Sequence, residues 1–198
     1  MRIFFVAMTD SIHTERWINQ IADQGWDIHL FPVNAIVSSP ELRNITVYGL
    51  ALLRPRDLHK SVRYVGLLPI GRCGNGFERL AFRKFPKLWG YALELVIRIT
   101  KPEIVHSLEF QHSAYLTLPV MKKERVHRPK PPKCIATNWG SDIYLFGRLA
   151  EHVDKIKSVL AACDYYSCEC QHDVQLAKEM GLRGEVLPVL PNRRMAIP

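Results

Sequence analysis

Apolar runs and amphipathic stretches alternate in a regular order along this chain. Ile3 to Met8 is a continuous apolar run, the pattern of a strand covered on both faces. Thr9-Asp10-Ser11 follows with turn and N-cap chemistry. The next helix sets Trp17, Ile18, Ile21 and Ala22 on its buried side before Gly25 stops it. Further strands are predicted at Asp27 to Pro32, Ile45 to Tyr48, Glu103 to Ser107, Lys133 to Thr137, Asp164 to Cys168 and Glu185 to Leu190. Helices are predicted at Pro86 to Ile99, Phe110 to Lys123, Arg148 to Cys163 and Gln171 to Met180. In the first of these, Phe85, Leu88, Trp89, Ala92, Val96 and Ile99 share the three-and-four spacing of one buried face. Leu149, Val153, Ile156, Val159 and Leu160 do the same in the third. This alternation predicts βαβ units: an α/β, Rossmann-like parallel sheet flanked by helices. Leu50 to Gly76 breaks the pattern and reads as a long Gly-, Pro- and Arg-rich connection.

A length of 198 residues suits one domain, and 47% hydrophobic with 23% charged residues is enough to bury a core. The formal charge is +8, and it is concentrated. Arg54 to Lys87 carries +7 and Met121 to Lys133 carries +5, so the rest of the chain is mildly acidic. In the first segment Arg54, Arg56, Lys60, Arg63, Arg72, Arg79, Arg83, Lys84 and Lys87 are interleaved with Leu67, Leu68, Ile70, Phe77, Leu80, Phe82 and Phe85. That mixture suits an anionic membrane surface or a polyanion, and equally a solvated face. No RNA- or DNA-binding signature accompanies it, which disfavours nucleic acid as the partner.

No apolar run approaches the roughly 20 residues of a membrane-spanning helix. The opening apolar run is too short for a secretory core. Five cysteines, an odd number, point to reduced thiols in a cytoplasmic protein. Cys163, Cys168 and Cys170 lack a C-x-x-C knuckle and read as core thiols, with Cys168 and Cys170 on one face of a strand; no metal is expected.

Ligands of a doubly wound sheet bind beyond the carboxyl ends of its strands. The residues found there are Thr9, Asp10, Ser11, His13, Arg16 and Trp17 after the first strand; Glu109, Gln111 and His112 after Ser107; Asn138, Trp139, Gly140, Ser141 and Asp142 after Thr137; and Glu169, His172 and Asp173 after Cys168. Each of them also serves as ordinary helix-cap chemistry. There is no G-x-x-x-x-G-K-[ST] and no dinucleotide-type glycine loop after the first strand. Gly71-Arg-Cys-Gly-Asn-Gly76 follows no strand and reads as a flexible loop. No spacing supports a Ser-His-Asp or Cys-His hydrolase.

Four stretches together resemble bacterial glycosyltransferases of family 4. They are Met1 to Val33, Lys101-Pro-Glu-Ile-Val-His-Ser-Leu-Glu-Phe-Gln-His112, Thr137-Asn-Trp-Gly-Ser-Asp142, and Asp164 to Asp173 with Gly181 and Val186 to Asn192. The resemblance spans most of the chain apart from about Ser38 to Lys101. It implies the amino-terminal, acceptor-side half of a GT-B fold over residues 1–191, with the basic loop region at 50–85 and residues 192–198 as the start of an inter-domain linker. The second domain, which binds the nucleotide-sugar donor, is not in these residues, so the 198-residue chain is expected to be inactive alone. The implied reaction is transfer of a sugar to an acceptor hydroxyl with retention, without a tightly bound cofactor. Glu109 and His112 become the catalytic candidates, for hydroxyl positioning. Ser11, His13, Arg16, Asn138, Trp139, Ser141, Asp142, Glu169 and Asp173 become the substrate-binding candidates, with donor phosphates near Asp10 to His13. Trp139 stands where many members carry histidine. The implied partners are a sugar or lipid-linked acceptor and a donor-binding domain or subunit. The basic segment adds an anionic membrane surface, with a cytoplasmic location peripheral to the inner face of the membrane, and leaves open the alternative of a non-catalytic module that binds such a surface or a polyanion through Arg54 to Lys87.

Overall fold

The computed structural model describes residues 1–33, 39–49, 54, 56, 58–67 and 86–189. Eight strands form one sheet: β1 (Arg2–Ala7), β2 (Asp27–Pro32), β3 (Thr46–Gly49), β4 (Arg63–Gly66), β5 (Ile104–Leu108), β6 (Lys133–Thr137), β7 (Tyr165–Ser167) and β8 (Glu185–Val186). Their order is β4-β3-β2-β1-β5-β6-β7-β8, with every described pairing parallel. The chain builds outward from β1 in one direction, then returns to the other side of β1 with β5. The carboxyl ends of β1 and β5 are therefore the crossover point of the sheet, where a crevice opens in folds of this kind.

The helices are α1 (Ile12–Asn19), α2 (Pro86–Thr100), α3 (Tyr115–His127), α4 (Ser141–Tyr144), α5 (Ala150–Ala162) and α6 (Gln171–Glu179). Strand alternation splits β1 between two cores. Phe4 and Val6 pack with Phe31, Trp89, Leu93 and Val105 on one side. Ile3, Phe5 and Ala7 pack with Ile18, Leu30 and Val47 on the other. Burying each large side chain of this kind contributes about 1.5–3 kcal/mol. A third cluster, around Phe110, Ile156, Leu160 and Tyr166, fills the space under β6 and β7. Gly184 is required by close approach, since a Cβ there would lie 2.7 Å from the Cys163 carbonyl oxygen.

Several expectations change: α1 ends at Asn19, before Ile21, Ala22 and Gly25, and Leu149 is 41% exposed just ahead of α5. The connection predicted across Leu50 to Gly76 contains strand β4, in register with β3 from Thr46↔Arg63 to Gly49↔Gly66. The buried face of α2 is Trp89, Leu93, Val96, Ile97 and Thr100, whereas Leu88 and Ile99 are 47% and 69% exposed. The sheet lies closer to the Leu93–Ile97 line, which turns the helix away from the face that the spacing suggested; Phe85 lies outside the described residues. Finally, β7 ends at Ser167, so Cys168 is buried while Cys170, at the start of α6, is exposed. Strand alternation no longer applies to that pair.

Candidate functional site

The loop after β5 is built around a backbone conformation that side-chain-bearing residues rarely adopt. Glu109 has φ 74° and ψ 161°, a region close to glycine-only that costs of order 1–3 kcal/mol. Its surroundings hold it there. The Glu109 N–H donates to the Thr137 carbonyl (3.1 Å), and its carboxylate accepts from the N–H groups of His112 (2.8 Å) and Ser113 (2.7 Å). These bonds cap a π-helical turn, Phe110–Ala114, a form concentrated at functional sites. The next N–H, of Phe110, donates to the Asp142 carboxylate (3.1 Å), which also accepts from Trp139 N–H (2.9 Å). Asp142 thus joins the turn after β5 to the turn after β6. Burial pushes its carboxyl up to about 7, partly offset by those two N–H donors and reinforced by the nearby Glu109 charge.

Glu109 and His112 are brought together. His112 Nδ1 lies 3.5 Å from the Glu109 carboxylate, with the imidazole 60% exposed and the carboxylate 4%. The hydrogen bond to Glu109 raises the His112 pKa above its ordinary value against an opposing effect of burial. An exposed imidazole steered by a buried carboxylate suits hydroxyl binding and proton handling.

The loops after β1 and β6 meet beside this pair. Ser11 caps α1 and accepts from His13 N–H (3.3 Å). The His13 ring stands 5.2 Å from the Trp139 ring. Arg16, half-buried, follows one turn along α1. Asn138 is fully buried and its N–H donates to the Ser167 carbonyl (2.8 Å). Among the described residues neither end of its side-chain amide finds a partner, and the same holds for Trp139 Nε1. Such groups are costly to leave unpaired, and here they sit at the crossover edge of the sheet. Ser141 is exposed at the start of α4. Glu169 and Asp173 lie one strand further out, after β7; Asp173 is buried, and its carbonyl accepts the Tyr166 hydroxyl (3.3 Å).

Sequence spacing gave no sign of the layer beneath. His106 is buried, with Nε2 2.7 Å from Thr137 Oγ1 and rings of Phe5 and Trp17 at 5.1 and 5.5 Å. Burial pushes its pKa down to about 3, so it is a neutral packing group. Only the apolar residues around it in β5 carried a signal, and they indicated a strand. Among the described residues no three His, Cys, Asp or Glu side chains gather as a metal site.

The basic segment has more than one role. The Arg54 guanidinium donates to the carbonyls of Val62 (2.6 Å), His59 (2.7 Å) and Leu58 (3.1 Å), stapling its own loop. Arg56, Lys60, Arg63 and Lys87 are exposed. Arg72, Arg79, Arg83 and Lys84 lie outside the described residues, as does the glycine-rich Gly71 to Gly76. In the second basic segment Arg125 and Lys133 pair with Asp164 (2.7 and 3.4 Å) and Arg128 with Glu124 (3.2 Å). No helix among the described residues is long and apolar enough to cross a membrane.

Comparison with known proteins identifies the fold. A family model described as "Glycosyl transferase 4-like" matches residues 2–68, the first third of the chain. Sucrose-phosphate synthase from Thermosynechococcus elongatus superimposes with a TM-score of 0.60 at 12% identity, covering 98% of this chain and 91% of that one. The chain is similar to glycosyltransferases over that third, and the superposition shows a shared fold. Its sheet and helices match the GT-B glycosyltransferase fold. A second structure of the same synthase gives 0.56 at 12% identity, covering 94% of this chain and 47% of that one. The structure of UGT73P12 from Glycyrrhiza uralensis, complexed with glycyrrhetinic acid 3-O-monoglucuronide, gives 0.56 at 12%, covering 96% and 49%. The chain thus spans about half the length of these two chains. No curated protein matches the sequence.

Proposed function

We propose that this domain is the amino-terminal, acceptor-binding half of a two-domain, family 4-type glycosyltransferase. The reaction is transfer of a sugar from a nucleotide sugar to an acceptor hydroxyl with retention at the anomeric carbon. The observation that carries this reading is the Glu109–His112 pair, held in a strained turn at the crossover edge of a GT-B-type sheet. Strain of this kind gathers where a backbone is held for function.

In this reading His112 orients the acceptor hydroxyl and Glu109 acts as a positioning residue through it. Asn138 and Trp139 place buried side-chain polar atoms without a described partner beneath the crossover edge. The His13 and Trp139 rings line the same edge. Ser11 and His13 lie at the start of α1, where backbone N–H groups favour a phosphate or acceptor oxygen, and Arg16 follows one turn along the helix. The acceptor is a sugar or lipid-linked sugar. A donor-binding domain, in the same polypeptide or in a separate subunit, closes the cleft.

The test is turnover by the purified 198-residue chain with UDP-glucose or GDP-mannose and a panel of saccharide acceptors. No transfer is expected, because in this reading the donor site belongs to a second domain and not to the single sheet described. Sustained transfer by this chain alone contradicts the half-site assignment.

A further inference from the structure

Helix α2 is apolar on two sides. Its inner face is the buried line Trp89, Leu93, Val96 and Ile97. On its outer side Leu88, Tyr91, Leu95 and Ile99 are 47%, 61%, 55% and 69% exposed. At 3.6 residues per turn these four fall within about 80° of arc, a continuous stripe along the helix. Scattered exposed apolar residues are ordinary, but an aligned set marks a contact surface.

The charges beside the stripe select the partner. Arg98 and the exposed Lys87 lie on the same flank by helix geometry, and the Lys123 ammonium of α3 stands 5.4 Å from the Tyr91 ring centroid. Two carboxylates reach this flank, Glu94, bound by Arg98 (2.7 Å) and Lys123 (2.8 Å), and the buried Glu124 of α3, bound by Arg98 and Arg128 (both 3.2 Å), so Lys87, Lys101 and Lys122 carry its excess positive charge. The partners of Glu94 hold it below the usual carboxylate range, the Lys123 hydrogen bond first. Lys101 follows the helix, and Lys122 precedes Lys123 on α3; both are exposed. An apolar stripe with a cationic flank is the arrangement that rests on an anionic bilayer, with the apolar groups at the acyl boundary and the cations among headgroups. A second copy of the chain fits less well, because self-pairing would bring two cationic flanks together.

We propose that the outer face of α2 docks the protein on an anionic lipid surface, through Leu88, Tyr91, Leu95 and Ile99 flanked by Lys87, Arg98 and Lys123. This inference stands apart from the transferase reading and from the loop Arg54 to Lys87 taken as a whole. The test is co-sedimentation of the 198-residue chain with vesicles of phosphatidylcholine mixed with phosphatidylglycerol, and with vesicles of phosphatidylcholine alone. Binding to the mixed vesicles is expected, with at least a tenfold lower partition onto phosphatidylcholine. The L95S/I99S double variant, with its fold checked by circular dichroism, is expected to lose at least tenfold in binding, and so is K87Q/K123Q. L145S, which removes an exposed leucine on another part of the surface, is expected to bind as the parent. Equal binding to both vesicle types, no binding to either, or unchanged binding by a folded L95S/I99S variant overturns the proposal. So does a dimer in light scattering that L95S/I99S dissociates, since the stripe would then be a protein interface.

Discussion

Glu109 and His112 are joined twice: the Glu109 carboxylate accepts the His112 backbone N–H at 2.8 Å and lies 3.5 Å from its Nδ1. One buried acid therefore shapes the turn and sets the state of the exposed ring. The first consequence is a titration. The His112 midpoint, followed by NMR, is expected above the ordinary histidine value because Glu109 favours the imidazolium. Glu109→Gln keeps an acceptor for the two N–H groups but removes the charge, so the midpoint is expected to fall. An unchanged midpoint shows that the pair is not electrostatically coupled. In stability terms a raised histidine pKa contributes below the unfolded-state value near 6.5, and that contribution is lost as pH rises through the folded-state value.

The backbone of Glu109 gives a second, opposite pair of substitutions. Glu109→Ala removes both side-chain bonds and keeps the cost of a Cβ at φ 74°. Glu109→Gly removes the same bonds and relieves the strain. The glycine variant is expected to be the more stable of the two by about 1–3 kcal/mol in urea unfolding. Equal stabilities, or alanine the more stable, contradict the strained conformation.

Much of this architecture is legible in the chain. β2 and β6 run over the predicted residues, and Ser11 caps the helix predicted after Thr9. These elements announce themselves through local chemistry, apolar runs and a hydroxyl before a helix, whereas the stop expected at Gly25 falls instead at Asn19. What escapes is decided by distant neighbours. β4 has only four residues, Arg-Tyr-Val-Gly, and becomes a strand by pairing with β3. The face that α2 buries depends on where the sheet lies, since both sides of that helix are apolar. The candidate site residues were locatable as strand-end polar groups. That Glu109 adopts a glycine-like conformation, or that Asp142 bridges two loops, requires Thr137, Phe110 and Trp139 in place, and no spacing rule conveys it.

Asp142 supplies a third prediction. Burial raises its carboxyl from 3.8 to about 7, so between about pH 4 and pH 7 the unfolded chain releases this proton while the folded one retains it. Its contribution to stability therefore falls as pH rises through that window. Asp142→Asn retains an oxygen to accept from Phe110 and Trp139 and cannot ionise, so its stability relative to the parent is expected to improve steadily from pH 4 to pH 7. Asp142→Ala loses both bonds and is expected to be destabilised by about 2 kcal/mol or more. A parent-to-asparagine difference that does not change with pH contradicts the raised pKa.

The central claim is that saccharide binds at the crossover edge of the sheet. Amide chemical shifts of the isotope-labelled 198-residue chain, titrated with glucose, mannose, N-acetylglucosamine and their oligosaccharides, test it most directly. The account predicts saturable shifts from at least one of these sugars at Glu109 to Ser113 and Asn138 to Asp142, reduced in a His112→Ala variant. Saccharides that leave all of these amides unmoved, or that shift only residues elsewhere, contradict it.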